Sequence, residues 1–342
     1  MKAVGLTRYL PITDPESLQN LNLSRPEPGE RDLLVRIEAI SVNPLDTKIR
    51  CSKSPDHQEA FPRVLGWDAA GVVEAVGSKA TLFQPGNEVY YAGSITRPGA
   101  NSEYHLVDER IVAKKPRSFD MAHAAALPLT VITAYEALFD RMGISIEEEL
   151  TRKTILIIGG AGGVGSLATQ IAKIANLRVI ATASRIESQE WCRKMGADEV
   201  IDHTKSIPEQ LQRVNHSTVD YIFNTSNIEQ HWSTICEIIK PQGRICCIAD
   251  ASKPMDFNPL KRKSATFAWE FMFTRPMYQT DDMIEQHKLL TQVARWIDTG
   301  LIQSTLTETL SPINAANLRT AHAKLESGRM IGKLVLTSWH SK

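Results

Sequence analysis

Between residues 154 and 249 the sequence alternates five times between short apolar runs and amphipathic segments. The first run, Thr154–Ile158, contains only β-branched and apolar residues, which is typical of a parallel strand buried on both faces. Further runs of this kind, separated by helical patterns, lie at 178–182, 199–201, 219–223 and 244–249. Because parallel strands need crossover connections, this order predicts an α/β fold built on a doubly wound parallel sheet.

The first 120 residues have a different pattern, in which glycine and proline turns separate short strands. Leu33–Ile40 alternates charged with apolar side chains, as a half-exposed strand does, and Gly71–Gly77 is bounded by glycines. Pro85–Asn87 predicts a turn before extended chain resumes at Glu88–Tyr91. Such strands favour a small β-rich domain. Since 342 residues exceed what one hydrophobic core usually serves, we expect two domains.

The composition excludes several classes of protein. Lys and Arg number 39, as do Asp and Glu, so the formal net charge is zero, which argues against a general nucleic-acid binder. No apolar run reaches the roughly 18–20 residues that a membrane helix needs. The five cysteines are an odd number and scattered, which favours reduced thiols inside the cell. We predict a cytoplasmic protein with neither a nucleic-acid nor a membrane partner.

A glycine-rich loop follows the first strand of the α/β region and leads into its helix. It contains a Gly-x-Gly-x-x-Gly pattern at Gly160, Gly162 and Gly165, with Gly163 and Val164 between the last two. Between a strand and a helix, this pattern indicates a dinucleotide site, because glycine lets the backbone approach a pyrophosphate closely. The N–H groups of the helix N-terminus then face the phosphates. A tight turn without a ligand is the alternative.

The end of the second strand discriminates between the two nicotinamide cofactors. An NAD site places Asp or Glu there for the ribose 2′-hydroxyl, but here the strand ends in Ser184 and Arg185. A hydroxyl and a guanidinium favour the 2′-phosphate of NADPH, which a carboxylate would repel. Glu187 lies close enough in sequence to leave NADH as the minor alternative.

Motifs along nearly the whole chain resemble the medium-chain dehydrogenase/reductase superfamily, most closely its quinone-oxidoreductase branch and, within it, the zinc-type alcohol dehydrogenase-like subgroup. They lie at Asn43–Thr47, Gly66–Gly71, Leu127–Ala134, Gly159–Gly165 and Gly332–Leu336. The resemblance implies a Rossmann domain at 127–280 and a GroES-like catalytic domain formed by 1–126 and 281–342. It also implies a homodimer, with a tetramer as the alternative, paired through an edge strand. The aromatic residues from Phe267 to Phe273 alternate as that sixth strand would.

Zinc-dependent members of this superfamily carry a cysteine before the first helix and a Gly-His-Glu triplet. This sequence has Pro44-Leu45-Asp46 and Gly66-Trp67-Asp68 at the corresponding places, and an indole cannot ligate zinc. The structural zinc lobe of those relatives needs four closely spaced cysteines, and the segment from Tyr90 to Ile111 has none. We therefore expect neither a catalytic nor a structural zinc.

The resemblance also implies catalytic residues in the β-rich domain. Asn43 and Asp46 would lie near the nicotinamide ribose and the substrate, where Asn43 offers an amide donor. Asp46 either takes part in the chemistry or only orients its neighbours in an Asn-Pro-x-Asp turn. Among Tyr90, Tyr91 and Tyr104 we select Tyr91 as the candidate proton donor, with an aromatic core role or a solvent-derived proton as alternatives.

Four further residues are candidates for contact with the cofactor. The resemblance places Thr130, at the start of the interdomain helix, beside the nicotinamide, and Lys333 of the terminal Gly-Lys motif near the cofactor. Asn224 follows the fourth strand at its carboxyl end, where ligands gather in open sheets, or belongs to a plain loop. His203 falls where NADPH-using relatives carry a tyrosine near the 2′-phosphate, or is an exposed loop histidine.

These residues predict an NADPH-dependent, zinc-independent oxidoreductase that transfers hydride to a quinone or an α,β-unsaturated carbonyl. Such acceptors place the negative charge of the product on a delocalised oxygen, which hydrogen-bond donors can stabilise. A zinc-dependent alcohol dehydrogenase is the first alternative. The second, of another class, is an NADPH-binding protein with an RNA-binding or structural role.

Overall fold

The computed structural model of this protein describes residues 1–146 and 153–340. The chain divides into two compact units. The first unit consists of Met1–Leu129, Phe273–Gly300 and Ser304–Lys342, and the second of Thr130–Met272 with Leu301–Gln303. Residues 273–280, which we assigned to the nucleotide-binding domain from the sequence, group with the first unit.

Strands form two sheets in the first unit and one sheet in the second. In chain order they are β1 Lys2–Arg8, β2 Gln19–Asn22, β3 Asp32–Ser41, β4 Gln58–Val64, β5 Ala69–Val76, β6 Glu88–Tyr91, β7 Tyr104–Asp108, β8 Val112–Lys114, β9 Thr154–Ile158, β10 Arg178–Thr182, β11 Glu199–Ile201, β12 Val219–Asn224, β13 Ile239–Cys247, β14 Thr266–Trp269, β15 Leu306–Leu310 and β16 Lys333–Thr337.

Helices connect the strands. They are α1 Pro44–Arg50, α2 Met121–Ala125, α3 Pro128–Tyr135, α4 Gly163–Ile174, α5 Ile186–Lys194, α6 Ile207–Arg213, α7 Ile228–Ile238, α8 Asn258–Lys261, α9 Thr274–Tyr278, α10 Glu285–Asp298 and α11 Ala315–Glu326. A 3₁₀ turn at Glu109–Ile111 and a π-helical turn at Glu136–Arg141 complete the set within the described residues. Each helix in these ranges is too short or too polar to cross a bilayer.

The second unit contains a six-stranded parallel sheet in the order β11-β10-β9-β12-β13-β14. The chain enters the sheet at its centre with β9, adds β10 and β11 on one side, and returns to add β12, β13 and β14 on the other. This confirms the predicted doubly wound sheet. All five residues of β9 are buried, as its uninterrupted apolar run requires. The order reverses between β9 and β12, the place where open α/β sheets bind ligands.

The first unit contains a seven-stranded sheet in which β15, β16, β3, β5, β6 and β8 follow one another and β7 also pairs with β3. A second sheet of three strands has the order β2-β1-β4. The strands predicted at 33–40, 71–77 and 88–91 are confirmed as β3, β5 and β6. Each of these lies within the larger sheet.

The prediction of a sixth strand running to Phe273 is wrong in its second half. The strand β14 ends at Trp269, and Glu270 follows with its carboxylate buried. Phe273 then caps α9 and packs edge-on against Trp67 of the first unit, with ring centroids 6.3 Å apart. The aromatic alternation therefore continues for four residues after the strand has ended. Its last member, Phe273, is buried in the first unit and not in the sheet of the second.

Candidate functional site

Strand pairing in the first unit brings three sequence-distant polar residues together. The antiparallel register aligns Ser41 at the end of β3 with Val335, so Asn43 and Lys333 each lie two residues beyond this pair, on the same side. On the other edge of β3, Ile40 aligns with Ala69, and Asp68 immediately precedes that residue. The sheet topology thus gathers Asn43, Asp68 and Lys333 at one end of the sheet.

Hydrogen bonds join these three side chains into one buried network. The Lys333 ammonium Nζ donates to Asp68 Oδ2 at 2.9 Å, to Asn43 Oδ1 at 2.5 Å and to the Val42 carbonyl at 3.0 Å. Asp68 Oδ2 also accepts from Asn43 Nδ2 at 2.8 Å, and Asp68 Oδ1 accepts from the Leu129 backbone N–H at 2.7 Å. All three hydrogens of the Lys333 ammonium are used within the chain, which argues against the predicted contact with the cofactor.

Asp46 adds a second buried carboxyl group beside this network. It lies in the first turn of α1, where its Oδ2 accepts the backbone N–H of Asn43 at 2.6 Å. Its other oxygen, Oδ1, has no hydrogen-bond partner among residues 1–146 and 153–340. Burial, together with the negative charge of Asp68, raises the pKa of Asp46 to about 7, although the Asn43 backbone N–H and the Lys333 charge both act to lower it. Burial also raises the pKa of Asp68 above its ordinary value, against the lowering effect of Lys333.

The donors gathered here do not fit a zinc ion. Asp68 Oδ2 already accepts a hydrogen bond from the Lys333 ammonium, whose positive charge would repel a metal ion. Trp67 is buried and its indole donates to the Ser94 carbonyl at 3.1 Å, so it is not a ligand. Across the described part of the chain, no three His, Cys, Asp or Glu side chains form a group that could hold a metal ion.

The glycine loop of the second unit has the geometry of a phosphate cradle. A Cβ at Gly160 would meet Ala181 Cβ at 2.8 Å, and one at Gly165 would meet the Gly159 carbonyl oxygen at 2.3 Å, so internal packing explains both glycines. A Cβ at Gly162 would meet only Gly159 O, at an ordinary 3.7 Å. Gly162 caps α4, whose first residues are Gly163 and Val164. Open space beside this N-terminus fits a bound pyrophosphate.

The rest of the loop is tied to the neighbouring strand ends. Gly159 N donates to Thr182 Oγ1 and Gly160 N to the Thr182 carbonyl, each at 3.0 Å. Gly159 has φ +87°, and a Cβ there would lie 2.5 Å from Thr225 Oγ1. The Thr225 hydroxyl in turn donates to the Ile158 carbonyl at 2.8 Å. The end of β10 and the segment after β12 therefore both fix the loop at the carboxyl edge of the sheet.

The candidate residues for cofactor discrimination follow β10 directly. Ser184 is exposed, and Arg185 is half-buried as the residue that precedes α5. The Arg185 backbone N–H donates to Ser188 Oγ at 3.1 Å, which fixes the start of the helix. Glu187 is exposed in the first turn of that helix. An exposed hydroxyl and a guanidinium at this strand end suit a phosphate more than a ribose hydroxyl.

The other predicted cofactor residues occupy three different settings within the second unit. Thr130 is buried in α3. Asn224 is buried at the end of β12, with its Nδ2 donating to the Ser226 carbonyl at 3.0 Å. His203 is half-buried after β11, and its ring centroid lies 6.4 Å from that of His231. Contact of these three residues with a cofactor stays a prediction.

The Tyr91 hydroxyl is hydrogen-bonded to His105 and not to the network around Asn43. Its ring is buried and stacks on His105 at 5.6 Å between centroids, and its hydroxyl lies 3.1 Å from His105 Nδ1. Because His105 Nε2 lies 2.9 Å from the Pro98 carbonyl, Nε2 carries the proton and Tyr91 donates to Nδ1. Burial raises the pKa of Tyr91 well above its usual value and lowers that of His105 to about 4. A catalytic role for Tyr91 stays a prediction.

Asp68 is the residue of this site that the sequence interpretation missed as a functional candidate. The sequence comparison treats Asp68 only as the replacement for a metal ligand, whereas in the structure it accepts hydrogen bonds from Asn43, Lys333 and Leu129. A carboxylate directly before the apolar strand Ala69–Val76 was the available signal. The partners come from positions 25, 61 and 265 residues away, so only the strand register identifies them.

Comparison with known proteins agrees with this architecture. Residues 29–117 match the family model of the alcohol dehydrogenase GroES-like domain, and residues 195–336 match that of the zinc-binding dehydrogenases. A zinc-type alcohol dehydrogenase-like protein of Staphylococcus aureus is 46% identical over 98% of this chain and 99% of its own length. A protein from Rhizobium etli CFN 42, whose crystal structure is described as that of a putative zinc-dependent alcohol dehydrogenase, shares 50% sequence identity with this chain. The two structures superpose over 100% of this chain and 99% of the other, with a TM-score of 0.94.

The chain is also similar to a plant protein whose name refers to quinone oxidoreductases. The chloroplastic quinone-oxidoreductase homolog of Spinacia oleracea is 32% identical over 79% of this chain and 78% of its own length. Together with the two family models, these similarities confirm the predicted GroES-like and Rossmann architecture. The chain is an oxidoreductase that belongs to the medium-chain dehydrogenase/reductase superfamily, in its quinone-oxidoreductase-like branch.

Proposed function

We propose that this protein is an NADPH-dependent, zinc-independent reductase of quinones or α,β-unsaturated carbonyls. The observation that carries the proposal is the donor set beside Asn43: Asp68 is paired with a lysine ammonium, and the residues there do not suit zinc. Reversible alcohol oxidation uses a metal to polarise the alcohol oxygen. Reduction of a quinone or an enone needs only hydrogen-bond donors for a delocalised oxyanion.

The cofactor part of the proposal rests on the glycine cradle and the end of β10. The backbone around Gly162 and the N-terminus of α4 would hold the pyrophosphate, because among the described residues only the Gly159 carbonyl oxygen comes within 4 Å of a Cβ placed at Gly162. Ser184 and Arg185 would bind the 2′-phosphate. When bound, NADPH supplies the hydride. In the first unit, Asn43 has an amide that is held at both ends, by Asp68 and Lys333, which fixes its orientation.

The assembly and location follow as parts of the same proposal. The strand β14 lies at the edge of the parallel sheet, and Trp269 on it is 45% exposed. An exposed edge of this kind needs cover, and the same edge of a second copy would supply it, which gives a homodimer. All five cysteines are free thiols, which suits the cytoplasm.

The test measures oxidation of NADPH and of NADH by EDTA-treated protein, with an ortho-quinone and with an enone as acceptors. We expect turnover with NADPH well ahead of NADH. Replacing Arg185 with Ala should raise KM for NADPH at least tenfold and leave KM for NADH nearly unchanged. Arg193→Ala, on the exposed end of the same helix, is the matched control.

Two results would overturn the proposal. Activity that appears only after zinc is restored would return the protein to the alcohol dehydrogenases. Salt-sensitive binding to single-stranded RNA, without turnover of any acceptor, would favour the nucleic-acid-binding alternative.

A further inference from the structure

We propose that Lys333 and Asp68 are positioning residues that hold the Asn43 amide and control the proton on Asp46 during the reduction. The inference rests on the proposed function for its catalytic part, whereas the control of the Asp46 proton is a property of the chain itself. Neither Lys333 nor Asp68 needs to touch a substrate for this role. Both act through the neighbouring Asn43 and Asp46.

The network permits one orientation of the Asn43 amide. Its Nδ2 donates to the Asp68 carboxylate and its Oδ1 accepts from the Lys333 ammonium. Rotating the amide by 180° would place an oxygen against a carboxylate and an N–H against an ammonium. Both contacts would be repulsive in a buried site. Asp68 and Lys333 therefore fix on which side of the Asn43 side chain the Nδ2 donor lies.

The charges that face Asp46 come from two strands of the sheet. Asp68, before β5, and Lys333, at the start of β16, act on it with opposite signs. On its own helix, Arg50 binds the Leu10 carbonyl and Glu326 of the facing helix α11, and Lys48 is exposed. His322 of α11 lies near Arg50. The protonation of Asp46 therefore depends on its burial, on the hydrogen bond from the Asn43 backbone N–H, and on the charges of Lys333 and Asp68.

The charge state of Asp46 matters for the proposed reaction. Hydride addition to an enone forms a C–H bond at the β-carbon and moves the π electron pair onto the carbonyl oxygen. A proton from solvent then adds to the resulting enolate and completes the reduced product. An ionised Asp46 beside Asn43 would oppose the developing negative charge, and a protonated Asp46 would not. The competent form should therefore carry the Asp46 proton, and turnover should fall as pH rises through its ionisation.

The test uses two variants whose expected effects have opposite signs. Lys333→Met removes the positive charge that favours ionised Asp46, so the titration of Asp46 should move to higher pH. Asp68→Asn removes the negative charge that disfavours ionisation, so the titration should move to lower pH. A neighbouring charge in a buried site shifts such a midpoint by about one pH unit or more. A residue with a merely structural role would not give shifts of opposite sign.

Two measurements are made on each variant. The first follows the protonated carboxyl band by infrared difference spectroscopy in the cofactor-free protein, with Asp46→Asn to identify the band. The second is the pH profile of NADPH-dependent quinone reduction. Lys333→Arg keeps the charge and should restore both midpoints towards those of the parent. Lys288→Met is the matched control, since Lys288 is an exposed lysine of the same unit.

Opposite shifts in both measurements would support the proposal. Infrared midpoints that stay unchanged, or that move in the same direction in both variants, would overturn it. Opposite infrared shifts with an unchanged pH profile would overturn the link to catalysis. If no acceptor is reduced at any pH while the infrared midpoints move as expected, the proposed function fails, and the control of the Asp46 proton stands.

Discussion

His322 is a buried histidine whose replacement should make the first unit less sensitive to acid. It lies on α11 and is fully buried, and within the described ranges neither ring nitrogen has a hydrogen-bond partner. Burial lowers the pKa of His322 to about 3, and the nearby positive charge of Arg50 acts in the same direction. The ring is therefore neutral in the folded protein throughout the physiological range.

The sign and size of the effect follow from proton linkage. In the unfolded chain the histidine takes up a proton near its ordinary pKa of 6.5, whereas the folded protein refuses it until about pH 3. Unfolding therefore binds a proton between these limits, and the free energy of unfolding falls as the pH falls below 6.5. The loss from His322 alone amounts to about 2 kcal/mol between pH 7 and pH 5.

The assay compares His322→Leu with the parent by urea unfolding at pH 7 and pH 5. Leucine has a similar volume and does not titrate, so the variant should lose about 2 kcal/mol less than the parent over this interval. Hydrogen exchange of the peptides that cover α11 should show the same difference locally. His340→Leu, at an exposed histidine of the same unit, is the matched control.

The comparison between variant and parent isolates His322 from other groups that titrate in this range. His105 contributes in the same direction, because burial lowers its pKa to about 4, and Asp46 contributes in the opposite direction. Neither group is changed by the substitution. A stability difference between His322→Leu and the parent that stays constant within about 0.5 kcal/mol from pH 7 to pH 5 would refute the reasoning.

Three other predictions concern the glycine loop, a buried carboxyl pair and Tyr91. Gly162→Ala should fold like the parent but bind NADPH at least tenfold more weakly in a fluorescence titration, and equal affinity would contradict the proposed phosphate cradle. Gly165→Ala should instead lower Tm, because its Cβ would lie 2.3 Å from the Gly159 carbonyl oxygen. Burial, and the neighbouring Glu136 carboxyl, raise the pKa of Glu270, so stability should fall as pH rises through the ionisation of the pair. Thermal scans between pH 7 and pH 10 should show a smaller fall in Tm for Glu270→Gln than for the parent, and parallel curves would argue against the raised pKa of Glu270. Tyr91→Phe leaves His105 Nδ1 without its donor, so urea unfolding should show a loss of about 1–3 kcal/mol; a large fall in kcat without loss of stability would instead support Tyr91 as the proton donor.

Local patterns in the sequence predict the second unit more completely than the first. The strand Thr154–Ile158 and the glycine pattern that follows it lie within a dozen positions of one another, so periodicity and turn chemistry are enough to predict both. The Asn43 network depends instead on strand register across 25 and 290 residues. The aromatic alternation after Trp269 fails as a strand signal, because Phe273 already belongs to the first unit, where it is buried and packs against Trp67.

Several similar proteins have zinc in their names, whereas in this site Asp68 is paired with a lysine. Both a zinc ion and a lysine ammonium can supply positive charge beside a buried carboxylate. A buried Asp68 carboxylate, close to a second carboxyl on Asp46, requires a nearby cation, whether that cation is a metal ion or an ammonium group. Here the cation is covalently part of β16, and its three hydrogens are directed at fixed acceptors. Unlike a metal ion, an ammonium group has no open coordination position for an alcohol oxygen. It can, however, hold the Asn43 amide and the Asp68 carboxylate in fixed positions.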